Sequence, residues 1–217
     1  KSEDSHASFP LGRLASIECP LELVDELPSA LSLLLGFLGR VAGLRCFDVG
    51  FSDESGEEPS PWRKRFFAPY LPLQIDFDAS WTIGQAEAHV RERLRLLAEA
   101  GTFARDLIGR YSKLRGGAGG PAWEMPIVVT VEAGATCPLW TPGAQLVIDL
   151  SLERKVATWW FDPRSTPADL ARGLARGYTA FSRHARTSPE VRMSEVPSVD
   201  PAERRHVLVE LNSTRPH

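Results

Sequence analysis

The chain has 217 residues, 43% hydrophobic and 24% charged, with a formal net charge of −3, long enough for one domain with a real core or for one lobe of a larger protein. Its arginines are scattered among acids along the sequence, and this balance argues against sequence-independent nucleic-acid binding, which needs a concentrated basic face. The longest apolar run, Leu31 to Leu38, is too short to span a bilayer, the start is polar and acidic, and the three cysteines (Cys19, Cys46, Cys137) form no CxxC pair; the reading is a reduced, cytoplasmic protein that binds neither membrane nor nucleic acid.

The sequence starts at Lys1 rather than Met, so a piece of something longer is expected, with residues 1–8 frayed. Leu14 to Leu23 contains Pro20 and reads as an edge strand and turn. Pro28 suits a first helical position, and Leu31, Leu34, Leu35, Leu38, Val41 and Ala42 predict a helix apolar on more than half its surface, ended by Gly43. Cys46 to Phe51 is strand-like, and residues 52–61 form an acidic loop rich in Gly, Pro and Ser. Leu73, Ile75 and Phe77 alternate onto one face of a short strand. Thr82-Ile83-Gly84-Gln85 reads as a capping box for a helix with Ile83, Ala86, Val90, Leu94 and Leu97 as its stripe and Glu87–Arg91 as an i,i+4 pair.

Phe103, Leu107, Ile108 and Tyr111 mark another short helix, and the glycines of 116–120 a joint. Ile127 to Val131 predicts a strand buried on both faces. Gln145–Leu150 and Lys155–Phe161 form a hairpin across residues 151–154. Thr166 as cap, Pro167 at the first position and Asp169 in the first turn open the last long helix, with Leu170, Leu174, Tyr178, Phe181 and Ala185 as its buried stripe. A loop covers 194–201, and a terminal helix runs from Asp200 to near Asn212. The sum is an α/β domain, helices packed on a layered sheet.

Candidate chemistry is sparse. Ser182 and His184 lie two apart on a helix and point away from each other, which makes a solvated helix face the default. His6, His89, His206 and His217 are isolated, without HxH or HExxH, so no metal or cofactor is expected. The 116–120 glycines lack the following GK[ST] of a phosphate-binding loop. Asp76 and Asp78 flank Phe77 at a strand end, where a carboxylate pair could share acid–base work but more commonly is solvated or caps the next turn. Trp159 and Trp160 are strand neighbours and face opposite ways, one toward the core and the other toward a possible interface. No catalytic residue is assigned.

Four stretches, in order, resemble the C-terminal lobe of nonribosomal peptide synthetase condensation domains, which have the chloramphenicol-acetyltransferase-like fold. Residues 65–76, Arg65-Phe66-Phe67-Ala68-Pro69-Tyr70-Leu71-Pro72-Leu73-Gln74-Ile75-Asp76, look like the family's GFFVNTLPLRVDL block. Thr82 to Arg105 is similar to its TFxELLxRVRExxLxAxxHQDxPFExL helix and turn. Val147 to Asp162 with the 170–181 helix looks like the late strand pair and closing helix. Pro201-Ala202-Glu203-Arg204-Arg205-His206-Val207-Leu208-Val209-Glu210-Leu211-Asn212-Ser213-Thr214 resembles the SxAERxxLLxEWNxT segment that joins a condensation to an adenylation domain.

The resemblance implies half of that fold: residues 1–199 as a truncated condensation-like domain and 200–217 as a linker toward an adenylation domain in the same polypeptide. The family's catalytic HHxxxDG belongs to the other lobe, and no such motif occurs here. HQDxPFE is degraded to Ala98-Glu99-Ala100-Gly101-Thr102-Phe103-Ala104, and Pro69-Tyr70 replace the family's Asn-Thr. The expectation is a non-catalytic platform or docking surface for the adenylation domain, with a peptidyl carrier protein or another synthetase subunit as further partners. Trp159, Trp160, Arg204, Arg205, Leu208, Leu211 and Asn212 are its candidate interface residues. The alternative is one lobe of an active, amide-forming condensation domain whose catalytic lobe lies on another segment or chain.

Overall fold

The computed structural model describes residues 14–21, 24–53, 67–101, 125–133, 140–141, 143–188 and 190–197. Residues 1–8, most of the 52–61 loop, the helix expected around Phe103–Tyr111, the 116–120 joint and the segment with Arg204, Arg205, Leu208, Leu211 and Asn212 lie outside the described residues. Within them the order is β1 (Ala15–Pro20), α1 (Leu27–Ala42), β2 (Cys46–Asp53), β3 (Leu71–Asp76), α2 (Ile83–Ala100), β4 (Ile127–Val131), β5 (Leu146–Ser151), β6 (Val156–Phe161) and α3 (Ala168–Thr187). The six strands form one mixed sheet in the order β1-β6-β5-β4-β2-β3. Its middle, β5-β4-β2, is parallel; β3 closes one side antiparallel, and β6 and β1 the other. Burial follows this order. β5 is buried along its whole length and β4 at four of five positions, as parallel strands covered on both faces require, whereas edge strand β3 alternates, with Leu73 and Ile75 inward.

The three helices belong to the larger of two apolar clusters, with Leu73, Ile75, Val129, Ile148 and Trp159 of the sheet. α1 starts with Pro28 in its first turn and ends at Gly43, whose φ of 67° is left-handed and suits a residue without Cβ. There the Gly43 amide donates to the Arg40 carbonyl and the Leu44 amide to Gly39 (2.9 Å), the paired bonds of a Schellman stop. Every residue from Ser29 to Leu38, and Gly39 with them, is buried, but Val41 and Ala42, expected in the buried stripe, are exposed. The burial all round α1 has a local cause. Residues 191–196 strap across it: the Met193 amide donates to the Trp81 carbonyl (2.8 Å) and the Ser194 amide to Ala79 (3.0 Å), while Arg40 Nη1 donates to the Met193 and Val196 carbonyls. A Cβ at Gly36 would sit 1.8 Å from Met193 Cε, so the glycine leaves room for the end of the Met193 side chain.

α2 carries its capping box: the Gln85 amide donates to Thr82 Oγ1 (3.3 Å) and the Thr82 amide to Gln85 Oε1 (2.9 Å). Ile83, Ala86 and Val90 are buried, Leu94 and Leu97 half-buried. α3 departs from its expected phase. Leu170 is 54% exposed, Leu174 is half-buried, and the buried positions are Ala171, Ala175, Tyr178, Ala180, Phe181, Ser182 and Ala185. Alanines rather than leucines take the inner face of the first turns because the helix lies close against β1 and β6. Nor is Thr166 the cap: Pro167 stands at that position without a side-chain bond, and Thr166 Oγ1 donates to the Gln145 carbonyl instead.

Candidate functional site

Adjacent strand residues point to opposite faces, and this separates the two tryptophans. Trp159, opposite Ile17 of β1 and Ile148 of β5, is wholly buried on the helix side, its ring 5.8 Å from that of Tyr178. It is core and reaches no surface. Trp160 lies on the other face, half-buried, against a second cluster of Tyr70, Met125, Val128, Ala144 and Val147. Of the pair, Trp160 is the one that keeps part of its surface exposed among the described residues. Gly50 of β2 faces this side too: a Cβ there would meet the Tyr70 ring at 2.9 Å, so the glycine admits the tyrosine.

The same face holds a buried acid. Asp149 of β5 is 1% exposed; its Oδ1 accepts from Thr130 Oγ1 (2.8 Å) and the Ala133 amide (3.1 Å), and its Oδ2 has no hydrogen-bond partner among the described residues. Burial raises its carboxyl above the ordinary range against the opposing Thr130 and Ala133 bonds. Glu132, at a φ of 55°, points its carboxylate into the β5–β6 turn, accepting from the Leu152 and Glu153 amides (2.5 and 3.1 Å) and from Ser151 Oγ (2.9 Å).

The remaining candidates do not converge. Asp78 accepts from the Ser80 amide and hydroxyl (2.9 and 2.7 Å), bonds that hold it below the usual carboxylate value; it closes the turn after β3 rather than pairing with Asp76. Ser182 and His184 bond separately into their own helix, Ser182 Oγ donating to the Thr179 carbonyl (3.1 Å) and His184 Nδ1 lying 2.7 Å from the Ala180 carbonyl. Ser182 is buried, which corrects the expected solvated face. His89 packs on Trp81 with ring centroids 5.0 Å apart. Among the described residues no group of three or more His, Cys, Asp or Glu is placed to hold a metal ion, and no helix is long and apolar enough to cross a membrane.

One feature escaped the sequence reading. α3 and β1 enclose an open groove of about 440 Å³ between Ile17–Pro20 and the row Arg172, Arg176 and Arg183. All three arginines are exposed. The signal was present as arginines recurring at helical steps; read along the chain they looked scattered, and only the fold lines them up beside a strand.

No family model and no curated protein matches the sequence. Solved structures do. The first condensation domain of the calcium-dependent antibiotic synthetase, in complex with a substrate analogue, matches with a TM-score of 0.58 at 18% identity, over 84% of this chain and 46% of that one. The chain has the fold of half a condensation domain. The starter condensation domain of rhizomide synthetase matches with a TM-score of 0.59 at 10% identity, over 86% of this chain and 48% of its own. The complex of the X-domain and OxyB from teicoplanin biosynthesis matches with a TM-score of 0.60 at 15% identity, over 87% and 49%. The chain thus spans about half the length of the chains it matches. At such identities the likeness is one of fold, and it agrees with the half of the chloramphenicol-acetyltransferase-like architecture that the sequence resemblance implied.

Proposed function

We propose that this chain is a condensation-like lobe of a nonribosomal peptide synthetase that performs no condensation itself and serves as a platform or docking surface, for an adenylation domain in the same polypeptide or for a carrier protein. The observation that carries the reading is the combination of a half-condensation fold with a sequence holding no two adjacent histidines, and so no HHxxxDG. The acids support it. Asp78, Asp162 and Glu132 serve local turns: Asp162 holds the guanidinium of Arg164 (Nη2 2.6 Å, Nε 3.0 Å) and the Arg164 amide (3.0 Å), Asp78 holds Ser80 and Glu132 the β5–β6 turn. Protein-facing work by this fold has a parallel in the X-domain found in complex with OxyB. Trp160 is the residue of the lobe that the reading places at a contact, together with Arg204, Arg205, Leu208, Leu211 and Asn212 of the linker segment.

The test is isothermal titration of the 217-residue chain with the separately purified adenylation domain of its parent, and with the carrier protein. Saturable binding to either is expected, and the chain incubated with one carrier-bound acyl group and one carrier-bound aminoacyl group, whose free amine could displace the first carrier's thiol, is expected to form no amide. Amide formation would replace this reading with that of an active lobe, and absence of binding to both partners would remove it.

A further inference from the structure

We infer that the groove between β1 and α3 binds an acidic peptide segment of a partner in extended conformation, added as a strand beside β1 and held by the arginines of α3. Two independent features meet there. β1 is the last strand of the sheet and, among the described residues, pairs with β6 alone; with the Leu21 amide donating to the Lys155 carbonyl, its outward backbone groups fall at Ser16, Glu18 and Pro20, where Ser16 and Glu18 offer donors and all three offer acceptors, proline having no N–H. Beside it stand Arg172, Arg176 and Arg183. α3 carries four arginines against one acid, Asp169, in a chain that is acidic overall, so the positive charge is a local concentration.

The dimensions agree. From Arg172 to Arg183 is eleven residues of helix, about 16 Å at ~1.5 Å each; the six residues of β1 span about 20 Å at ~3.3 Å each. Arg172 and Arg176 are one turn apart, about 6 Å along the helix, close to the ~6.6 Å between alternate residues of an extended chain. Two acidic residues at alternate positions of a bound strand would therefore face Arg172 and Arg176, whose guanidinium groups suit carboxylates through paired N–H donors. Of the usual guards of a sheet edge, Pro20 removes one outward donor at the end of β1, and the exposed charge of Glu18 is met by Arg154 Nη2, which donates to it at 2.8 Å and offsets its repulsion of an acidic guest. Ile17 and Pro20 supply the apolar floor between. The groove is a contact separate from Trp160, on the helix side of the sheet edge, and rests on the reading above for its place in a synthetase, though not for its binding.

The probe is a fluorescein-labelled octapeptide alternating glutamate with valine and threonine, titrated with the full chain and followed by fluorescence anisotropy at low and physiological salt. Saturable binding is expected, at least tenfold weaker for the Arg172→Gln, Arg176→Gln double variant, whose exposed substitutions leave the circular dichroism and Tm of the chain unchanged. The same peptide N-methylated on alternate amides, with its charge intact, is expected to bind at least tenfold more weakly. No saturable binding overturns the inference. Equal binding of the N-methylated peptide overturns strand addition, and a thymidine oligonucleotide of equal charge binding as tightly would make the groove a general polyanion site. A chain that takes the peptide but neither the adenylation domain nor the carrier keeps the groove and loses the platform; one that takes the adenylation domain but not the peptide does the reverse.

Discussion

Asp149 is where a single residue carries the sharpest physical tension. A carboxylate at 1% exposure with one oxygen unpartnered among the described residues is stabilised by its Thr130 and Ala133 bonds and destabilised by lost hydration, and burial is the larger effect. The sign follows from linkage. A carboxyl raised in the folded state binds more protons there than in the unfolded chain, so stability falls as pH rises from the ordinary carboxylate value of about 4 through the raised one. Asp149→Asn keeps an oxygen for Thr130 and replaces the unpartnered oxygen by a neutral amide. The Tm of the variant minus that of wild type is expected to grow more positive from pH 4 to pH 7.5; a difference independent of pH would contradict the assignment. None of this was legible in the sequence, where Asp149 is one polar letter inside a strand and nothing tells a buried acid from an exposed one. The tryptophan pair was legible, because alternation along a strand is a local rule. Which tryptophan faced the helices was not, because it depends on α3 packing over β6.

At the level of elements, local chemistry proved readable and packing phase did not. The α2 capping box is written in four residues, Thr82 to Gln85, and forms as written. Its removal has a definite cost: Thr82→Ala is expected to destabilise the chain by about 1 kcal/mol, a fall in Tm of about 2–4 °C for a domain of this size. Thr82→Ser is expected to retain most of the stability, and equal loss in both variants would show that the box contributes nothing. Gly43 ends α1 for an equally local reason. The stripe of α3 was misjudged at Leu170 and Leu174 because hydrophobicity alone favoured leucine over alanine, whereas close approach to β1 favoured Ala171 and Ala175. Val41 was misplaced for a related reason: the periodicity of α1 continues to its end, but the cover provided by the 191–196 strap does not. That strap is joined to α1 and the start of α2 by residues more than a hundred positions away, and no window of sequence contains it.

For the molecule as a whole, the half-condensation architecture was carried by the order of four stretches rather than by any one, and the mixed sheet with its parallel β5-β4-β2 centre agrees with it. The charge distribution was the part hidden from the sequence. A chain of net charge −3 gave no reason to expect a basic groove until the fold placed α3 along the edge strand. The proposed platform role rests on two surfaces among the described residues, the edge strand β1 paired on one side only and the half-buried Trp160 on the sheet face away from the helices. The most direct measurement of that claim is made on the parent protein with and without residues 1–199, at matched soluble concentration, recording thermal stability, amino-acid-dependent adenylation and amide formation. The account predicts that deletion lowers the Tm or solubility of the adenylation domain. Adenylation and stability left intact while amide formation is lost would contradict it, and would place the lobe in the condensation reaction itself.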